Sequence, residues 1–192
     1  MNKEGLLQEP QYDKPNIYLE SGDRTQVTFM IQELANTATG DIEENLVRDL
    51  LVKMNTVTKR LDNAGDERKF KRTADEILES GERTGCCDSS TLFTALCRAR
   101  RIPAMQVITI NTIDARKRPN EFNSGHFFTL CYFKNSGNNG EWKLLDSDRG
   151  ELDHREIRFL KFNPEDKNIT RRFYAIAYAR DYSDLKYKRT KN

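Results

Sequence analysis

The sequence lacks the features that mark membrane, secreted and nucleic-acid-binding proteins. Its 192 residues include only four cysteines, five prolines and one tryptophan, and the net charge is +2. The longest nearly apolar run, residues 127–133, is far too short to cross a bilayer, which takes about 20 residues. A net charge this small gives no broad field to attract nucleic acid or an acidic membrane surface. We therefore expect neither a membrane nor a nucleic acid as partner.

The N-terminus also lacks a secretion signal. Residues 1–10 carry Lys3, Glu4 and Glu9 and have no continuous apolar core, so the sequence predicts an intracellular, cytoplasmic location. Four cysteines in a chain of this length are not typical of the disulfide framework of a small secreted protein. Packing, metal binding and catalysis remain as uses for them. At roughly 150 residues per domain, the length predicts one domain with short extensions.

Apolar spacing separates a helical first half from a strand-rich second half. Helical spacing of apolar residues predicts helices over 25–37, 41–61, 70–81 and 86–101. The second of these opens with Asp41 and Glu44 spaced as a capping box. Enrichment in β-branched and aromatic residues predicts strands over 105–110, 126–133, 142–145 and 173–179. Glycine and asparagine at 137–140 indicate a hairpin turn. Helices followed by adjacent strands favour an α+β fold with an antiparallel sheet.

Two adjacent cysteines, Cys86 and Cys87, open the fourth predicted helix. A helix N-terminus favours the thiolate, the nucleophilic form of cysteine, because unpaired backbone N–H groups and the macrodipole stabilise negative charge. At 100° per residue, Cys86 flanks the apolar stripe of this helix and Cys87 points away from it. We expect Cys86 to be the nucleophile and Cys87 to face solvent or the N-terminal arm. Cys97 and Cys131 are predicted to be packing residues.

A thiol nucleophile needs a base, and the sequence has two histidines. His126 opens an apolar strand, whereas His154 lies in a charged stretch and is predicted to have no catalytic role. Asp146 ends the next strand, and antiparallel pairing across the hairpin turn would bring it close to His126. The sequence therefore predicts that Cys86, His126 and Asp146 converge as a catalytic triad, with Asp148 as the alternative carboxylate.

Other interpretations of these residues carry less weight. A metal site of Cys86, Cys87 and His126 lacks the Cys-x-x-Cys spacing of structural zinc sites, so we expect no metal and no cofactor. Residues 111–124 form a connection long enough to be a lid or substrate loop. We interpret the basic clusters as solvated surface: 98–101, 116–118 and 186–191.

The candidate triad resembles the transglutaminase-like superfamily, whose core is a papain-like cysteine, histidine and aspartate site. The resemblance covers roughly residues 73–150, with a similar final strand near 173–181. Three segments carry it: Gly-Cys-Cys-Asp at 85–88 with the helix that leads to Ile-Pro-Ala at 102–104, Gly-His at 125–126, and Trp-x-x-Leu-Asp at 142–146. It implies a papain-like α+β fold of the microbial, single-domain type, with catalytic roles for Cys86, His126 and Asp146.

The sequence departs from the family pattern at three points. Arg101 stands where the family usually has a glycine, and Phe127-Phe128 stand where it often has Ala-Trp. Paired zinc cysteines, which the peptide N-glycanase branch carries, are missing. The resemblance implies the following division of the chain: an N-terminal arm and helical extension at 1–72, the core at 73–185, and a basic tail at 186–192.

The expected function is that of a cysteine-dependent hydrolase or acyl transferase acting on amide or peptide bonds of a peptide or protein substrate. A protease or amidase is favoured over protein cross-linking, because water is the simpler acyl acceptor and no calcium-loop pattern is present. The alternative is a catalytically inactive binding module with the same fold. The oligomeric state is left open.

Overall fold

Helices fill the first half of the chain and the main sheet lies in the second half. The computed structural model describes residues 10–61, 67–113, 125–134, 140–148 and 157–184. Its helices are α1 (Phe29–Asn36), α2 (Glu43–Val57), α3 (Ala74–Ser80) and α4 (Cys86–Ala99). None of the helices in these ranges is long and apolar enough to cross a membrane. The strands are β1 (Lys59–Arg60), β2 (Glu82–Arg83), β3 (Ala104–Asn111), β4 (Gly125–Lys134), β5 (Gly140–Leu145), β6 (Leu160–Lys161) and β7 (Phe173–Ala179).

The main sheet has five strands in the order β6-β5-β4-β3-β7, and every neighbouring pair is antiparallel. The predicted α+β fold with an antiparallel sheet is therefore confirmed. Strands β4 and β5 pair from Lys134 and Gly140 to Thr129 and Leu145, as a hairpin requires. The predicted turn itself lies largely outside the described residues. A separate parallel pair, β1 and β2, joins the end of α2 to the segment before α4.

Helix α4 lies at the centre of the molecule. It packs on β3 and β4 on one side and contacts α1, α2 and α3 on the other. Every residue from Cys87 to Ala99 is buried, so the helix has no solvent face. Polar side chains of α4 therefore need internal partners. Arg98 donates to the carbonyls of Tyr18 (2.9 Å) and Ala104 (2.8 Å) and to Thr25 Oγ1 (2.6 Å).

The opposite face of the sheet is covered by the segment before α1. Alternate residues of β4 separate the two faces: Cys131 and Phe133 belong to the core around α4, whereas Phe128 and Leu130 belong to a second apolar cluster. Tyr18 of the N-terminal segment packs into this second cluster. The arm is thus part of the packed structure. The division of the chain at residue 72 stays a prediction.

Both predicted boundaries of the second helix are wrong. The capping box of Asp41 and Glu44 does not form, because α2 begins after Ile42 with no side-chain cap, and Asp41 instead accepts hydrogen bonds from Ile42 and Asn45. Helix α2 ends at Val57 instead of residue 61, because the next residues turn into β1 and pair with β2.

The third helix begins later than its apolar residues predict. Phe70 has a φ of 62°, in the left-handed region, which a right-handed helix cannot contain. The helix starts after Thr73, whose hydroxyl accepts from the Glu76 N–H while the Glu76 side chain accepts from the Thr73 N–H. Its predicted end at Gly81, in a left-handed C-cap, is confirmed.

Arg101, which stands where the family usually has glycine, also adopts a left-handed conformation, with φ of 61°. A glycine would take this conformation without the steric cost that a side chain adds. We expect Arg101→Gly to raise the free energy of unfolding by about 0.5–1 kcal/mol, measured by urea denaturation. Arg101→Ala is the control, because it removes the same side chain but keeps a Cβ. Equal stabilisation by both variants would contradict the argument.

Candidate active site

Cys86 is the first residue of α4, and the chain reaches it through a turn that requires glycine. Gly85 has a φ of 143°, a conformation that residues with side chains rarely adopt. The Lys69 side chain also lies close: its Cε is 3.4 Å from the position that a Cβ on Gly85 would occupy. The thiol of Cys86 is partly exposed. The helix N-terminus therefore presents this sulfur at the surface of the fold.

A buried carboxylate holds the turn before Cys86 in place. Asp88 accepts hydrogen bonds from the Thr84 N–H (2.8 Å) and hydroxyl (2.6 Å). It also forms an ion pair with Arg72, which in turn donates to the carbonyl of Glu82 (2.8 Å). A negative charge near a thiol opposes ionisation of that thiol, and pairing with an arginine offsets this effect. Because it is paired with Arg72, the Asp88 carboxylate can hold the first turn of α4 in place.

His126 is held at the start of β4 by contacts on both sides. Gly125 precedes it, and a Cβ there would lie 2.7 Å from the carbonyl oxygen of Thr109 on β3, so glycine is needed for the strands to approach. The imidazole meets the ring of Phe128 edge-on (4.7 Å between centroids) and stacks on Phe173 (5.3 Å). These contacts fix the plane of the imidazole.

The structure brings together the three side chains that the sequence singles out. His126 Nε2 lies 2.8 Å from Asp146 Oδ1. The Cys86 sulfur lies within 4.8 Å of a ring nitrogen of His126, and the thiol is a further hydrogen-bond partner of the imidazole. Asp146 comes directly after β5, whose antiparallel pairing with β4 brings it to His126. The resulting order is carboxylate, imidazole and thiol, as thiol-based acyl transfer requires.

The charges around His126 favour its protonated form. Burial disfavours the imidazolium, but the hydrogen bonds to Asp146 and Cys86 and the charges of these groups outweigh burial and raise the pKa of His126 to about 10. An imidazolium beside a thiolate is the reactive form of a cysteine–histidine pair.

Asp148 lies next to the site, but its carboxylate oxygens are hydrogen-bonded to groups other than the imidazole. Its Oδ1 accepts from Ser89 (2.7 Å) and its Oδ2 from Arg60 (3.1 Å). Atoms of Cys86, His126 and Asp148 lie within 4.8 Å of one another, and these residue types could hold a transition metal such as zinc. The hydrogen bonds to Ser89 and Arg60 give the Asp148 carboxylate a structural role in fixing the loop after β5.

The prediction that Cys87 faces solvent is wrong. Its exposed fraction is 4%, and the backbone N–H of Phe70 faces its sulfur. Burial, followed by the negative charge of Asp88, raises the pKa of Cys87 to about 12, which makes it a poor nucleophile. The angular position of Cys87 would face solvent on a helix with one exposed side, but α4 has no exposed side beyond Cys86. Cys97 and Cys131 are fully buried, as packing residues should be.

Comparison with known proteins agrees with this geometry. A family model described as the transglutaminase-like superfamily matches residues 32–147, more than half of the chain. The chain belongs to the transglutaminase-like superfamily. A solved structure of a candidate cysteine protease from Cytophaga hutchinsonii is 19% identical, with a TM-score of 0.58 over 95% of this chain and 53% of that one. The chain thus spans about half the length of that protein, and the likeness shows the shared fold. No curated protein matches the sequence.

In this transglutaminase-like chain, the sequence does not predict the hydrogen-bonded polar residues that lie below the triad. Arg83 is fully buried and donates to Ser89 Oγ (3.0 Å) and Asn55 Oδ1 (2.7 Å), so that it supports the serine that binds Asp148. Arginine is usually exposed, and nothing in the spacing of Arg83 indicates burial. His154 and residues 114–124 of the predicted substrate loop lie outside the described residues.

The raised pKa of His126 makes stability depend on pH. The folded chain binds the proton of the His126 imidazole more tightly than the unfolded chain does. The contribution of this proton to the free energy of unfolding is therefore complete below pH 6.5 and is lost as the pH rises towards about 10. We expect the free energy of unfolding, measured by urea denaturation, to fall over this range. Asp146→Asn should make the fall smaller, because it removes the charge that raises the pKa. Identical pH dependence in both proteins would contradict the pairing.

Proposed function

We propose that this protein is a cysteine-dependent hydrolase of amide or peptide bonds, with a peptide or protein as its substrate. The observation that supports this proposal is the hydrogen-bonded series from Asp146 through His126 to Cys86 at a helix N-terminus. Membership of the transglutaminase-like superfamily supports cysteine-based hydrolase or transferase chemistry in general. The assignment of nucleophile, base and orienting carboxylate to these residues is part of the proposal.

In the first half-reaction, the Cys86 sulfur attacks the carbonyl carbon of the substrate while His126 holds the thiol proton. The negative charge that develops on the carbonyl oxygen is stabilised by the backbone N–H of Cys86, which has no partner within the helix at this position. The tetrahedral intermediate then collapses, the carbon–nitrogen bond breaks, and His126 transfers its proton to the leaving amine. Asp146 stabilises the imidazolium throughout.

In the second half-reaction, an acceptor attacks the thioester that the first half leaves on Cys86. With water, His126 takes a proton from the attacking molecule, the carbon–sulfur bond breaks, and an acid and the free thiol result. With a primary amine, the same steps form a new amide, which is transamidation. Hydrolysis is the form we propose, because water needs no further binding site.

The two adjacent cysteines should differ in chemical reactivity. We expect iodoacetamide to alkylate Cys86 at about pH 6, where ordinary thiols are almost entirely protonated, and to leave Cys87 unmodified. Mass spectrometry of digested protein over a pH series measures both rates. If Cys86 reacts no faster than glutathione, the proposal fails and an inactive binding module becomes the better interpretation.

The matched pair Cys86→Ala and Cys87→Ala should respectively abolish and retain hydrolysis of fluorescently labelled casein.

The two aspartates near His126 should also differ in their effect on turnover. We expect Asp146→Asn to lower kcat by at least about 100-fold, because the imidazole loses the charge that orients it and stabilises its protonated form. Asp148→Asn should lower kcat by less than about 10-fold, because this carboxylate binds Ser89 and Arg60. Labelled casein is again the substrate, and thermal unfolding checks that both variants fold. The reverse order of effects would assign the orienting role to Asp148.

A further inference from the structure

Phe70 combines exposure with an unfavourable backbone conformation. Its φ is 62°, and 44% of the residue is exposed. Bulky residues rarely adopt this left-handed conformation, which is unfavourable and persists only where the surroundings stabilise it. Such residues cluster at active sites and ligand-binding sites. Phe29 provides the contrast: it is 78% exposed, but it is the first residue of α1 and has no such strain.

Phe70 is the third residue of a β-turn in which the Lys71 N–H donates to the Arg68 carbonyl (3.1 Å), and residues distant in sequence hold this turn in place. Arg24 donates from Nη1 to the Phe70 carbonyl, and its guanidinium lies over the Tyr182 ring, 5.9 Å from the centroid. The Arg24 N–H donates to Asp181 Oδ2 (2.8 Å), and Thr25 donates to the same oxygen from its N–H and its hydroxyl (2.9 Å each). Burial alone would raise the pKa of Asp181, but hydrogen bonds from Ser183, Arg24 and Thr25 lower it.

The Phe70 side chain is the outer member of an aromatic wall, which we define as Phe70, Phe127 and Tyr182. The three ring centroids lie 5.5–5.9 Å from one another. Phe127 is almost fully buried, so Phe70 offers the exposed face. The exposed face of an aromatic ring binds another aromatic ring by offset or edge-on contact.

The aromatic wall lies beside the helix N-terminus that carries Cys86. Phe127 follows His126 in β4, and its side chain lies on the face of the sheet opposite to the imidazole. The Phe70 N–H faces the sulfur of Cys87, and the Lys69 side chain lies against Gly85, so the segment 69–70 runs beside the turn that carries Cys86. A substrate whose carbonyl carbon is within reach of the Cys86 sulfur therefore has its neighbouring groups close to the exposed face of Phe70.

We infer that the aromatic wall binds an aromatic side chain of the substrate, next to the carbonyl group that Cys86 attacks. This inference rests on the proposed function, because it assigns part of the substrate of the same site. Phe70 is then a residue that determines specificity: the constraint on its backbone holds the ring where a bound substrate can pack against it. Substrates with an aromatic group beside the acyl carbon should react faster than small or polar ones.

Two alkylating reagents test this inference without knowledge of the natural substrate. Iodoacetamide and N-benzyl-iodoacetamide carry the same reactive carbon, and only the second carries a ring. The ratio of their alkylation rates at Cys86, divided by the same ratio for glutathione, measures the preference for the ring. We expect a preference of about 2- to 10-fold in the native protein, as a single aromatic contact provides. In Phe70→Gly it should fall to about 1, because the wall loses its exposed face.

Phe70→Gly should also fold well, since glycine adopts a positive φ freely. Phe70→Asn, which tolerates the same conformation, is the second variant if Phe70→Gly unfolds. Phe29→Ala is the matched control, and the preference should remain unchanged in it. A preference near 1 in the native protein, or one that survives both substitutions of Phe70, overturns the inference. The rate with iodoacetamide alone tests the proposed function separately, since it reports the reactivity of Cys86 without the ring.

Discussion

The structure depends on the burial of α4 on every side. A helix with no solvent face needs internal partners for the polar groups that it carries, and the hydroxyl groups of α4 have them except Thr94 Oγ1. Ser90 forms hydrogen bonds with a backbone carbonyl and a side-chain hydroxyl of β4. Thr91 is hydrogen-bonded to Gln106 of β3, and Ser89 to Asp148 after β5. Each hydrogen bond fixes the position of a different strand relative to the helix. The position of the helix N-terminus relative to β4 is therefore set by polar groups in the first two turns of the helix.

The buried polar groups around the start of α4 also determine the charges of the site. Two of its three carboxylates, Asp88 and Asp148, are paired with arginines, whereas Asp146 is hydrogen-bonded to the imidazole. Pairing with arginine reduces the effect of a carboxylate on the protonation of its neighbours. The electrostatic effect on His126 therefore comes chiefly from Asp146 and from the thiol itself, as the hydrogen bonds and charges that raise its pKa indicate.

Local patterns predicted the parts of the site that depend on regular structure. The four strands and the pairing of β4 with β5 follow from β-branched and aromatic residues at period two, and this pairing is sufficient to bring Asp146 to His126. Tertiary contacts determined what the patterns missed. The burial of Cys87 depends on the segment around Phe70, and that of Arg83 depends on Asn55 and Ser89. Neither contact has a local signal, because the partners of Phe70 and Arg83 lie elsewhere in the chain.

The carboxylate of Asp181 joins the two ends of the described chain, since it accepts hydrogen bonds from Arg24 and Thr25 across a separation of more than 150 residues. During translation, Cys86, His126 and Asp146 leave the ribosome well before this carboxylate does. The N-terminal segment therefore has to wait for its acceptor until the final strand, β7, has emerged and docked on β3. The surroundings of the thiol are thus completed only after all three residues of the candidate site have been synthesised.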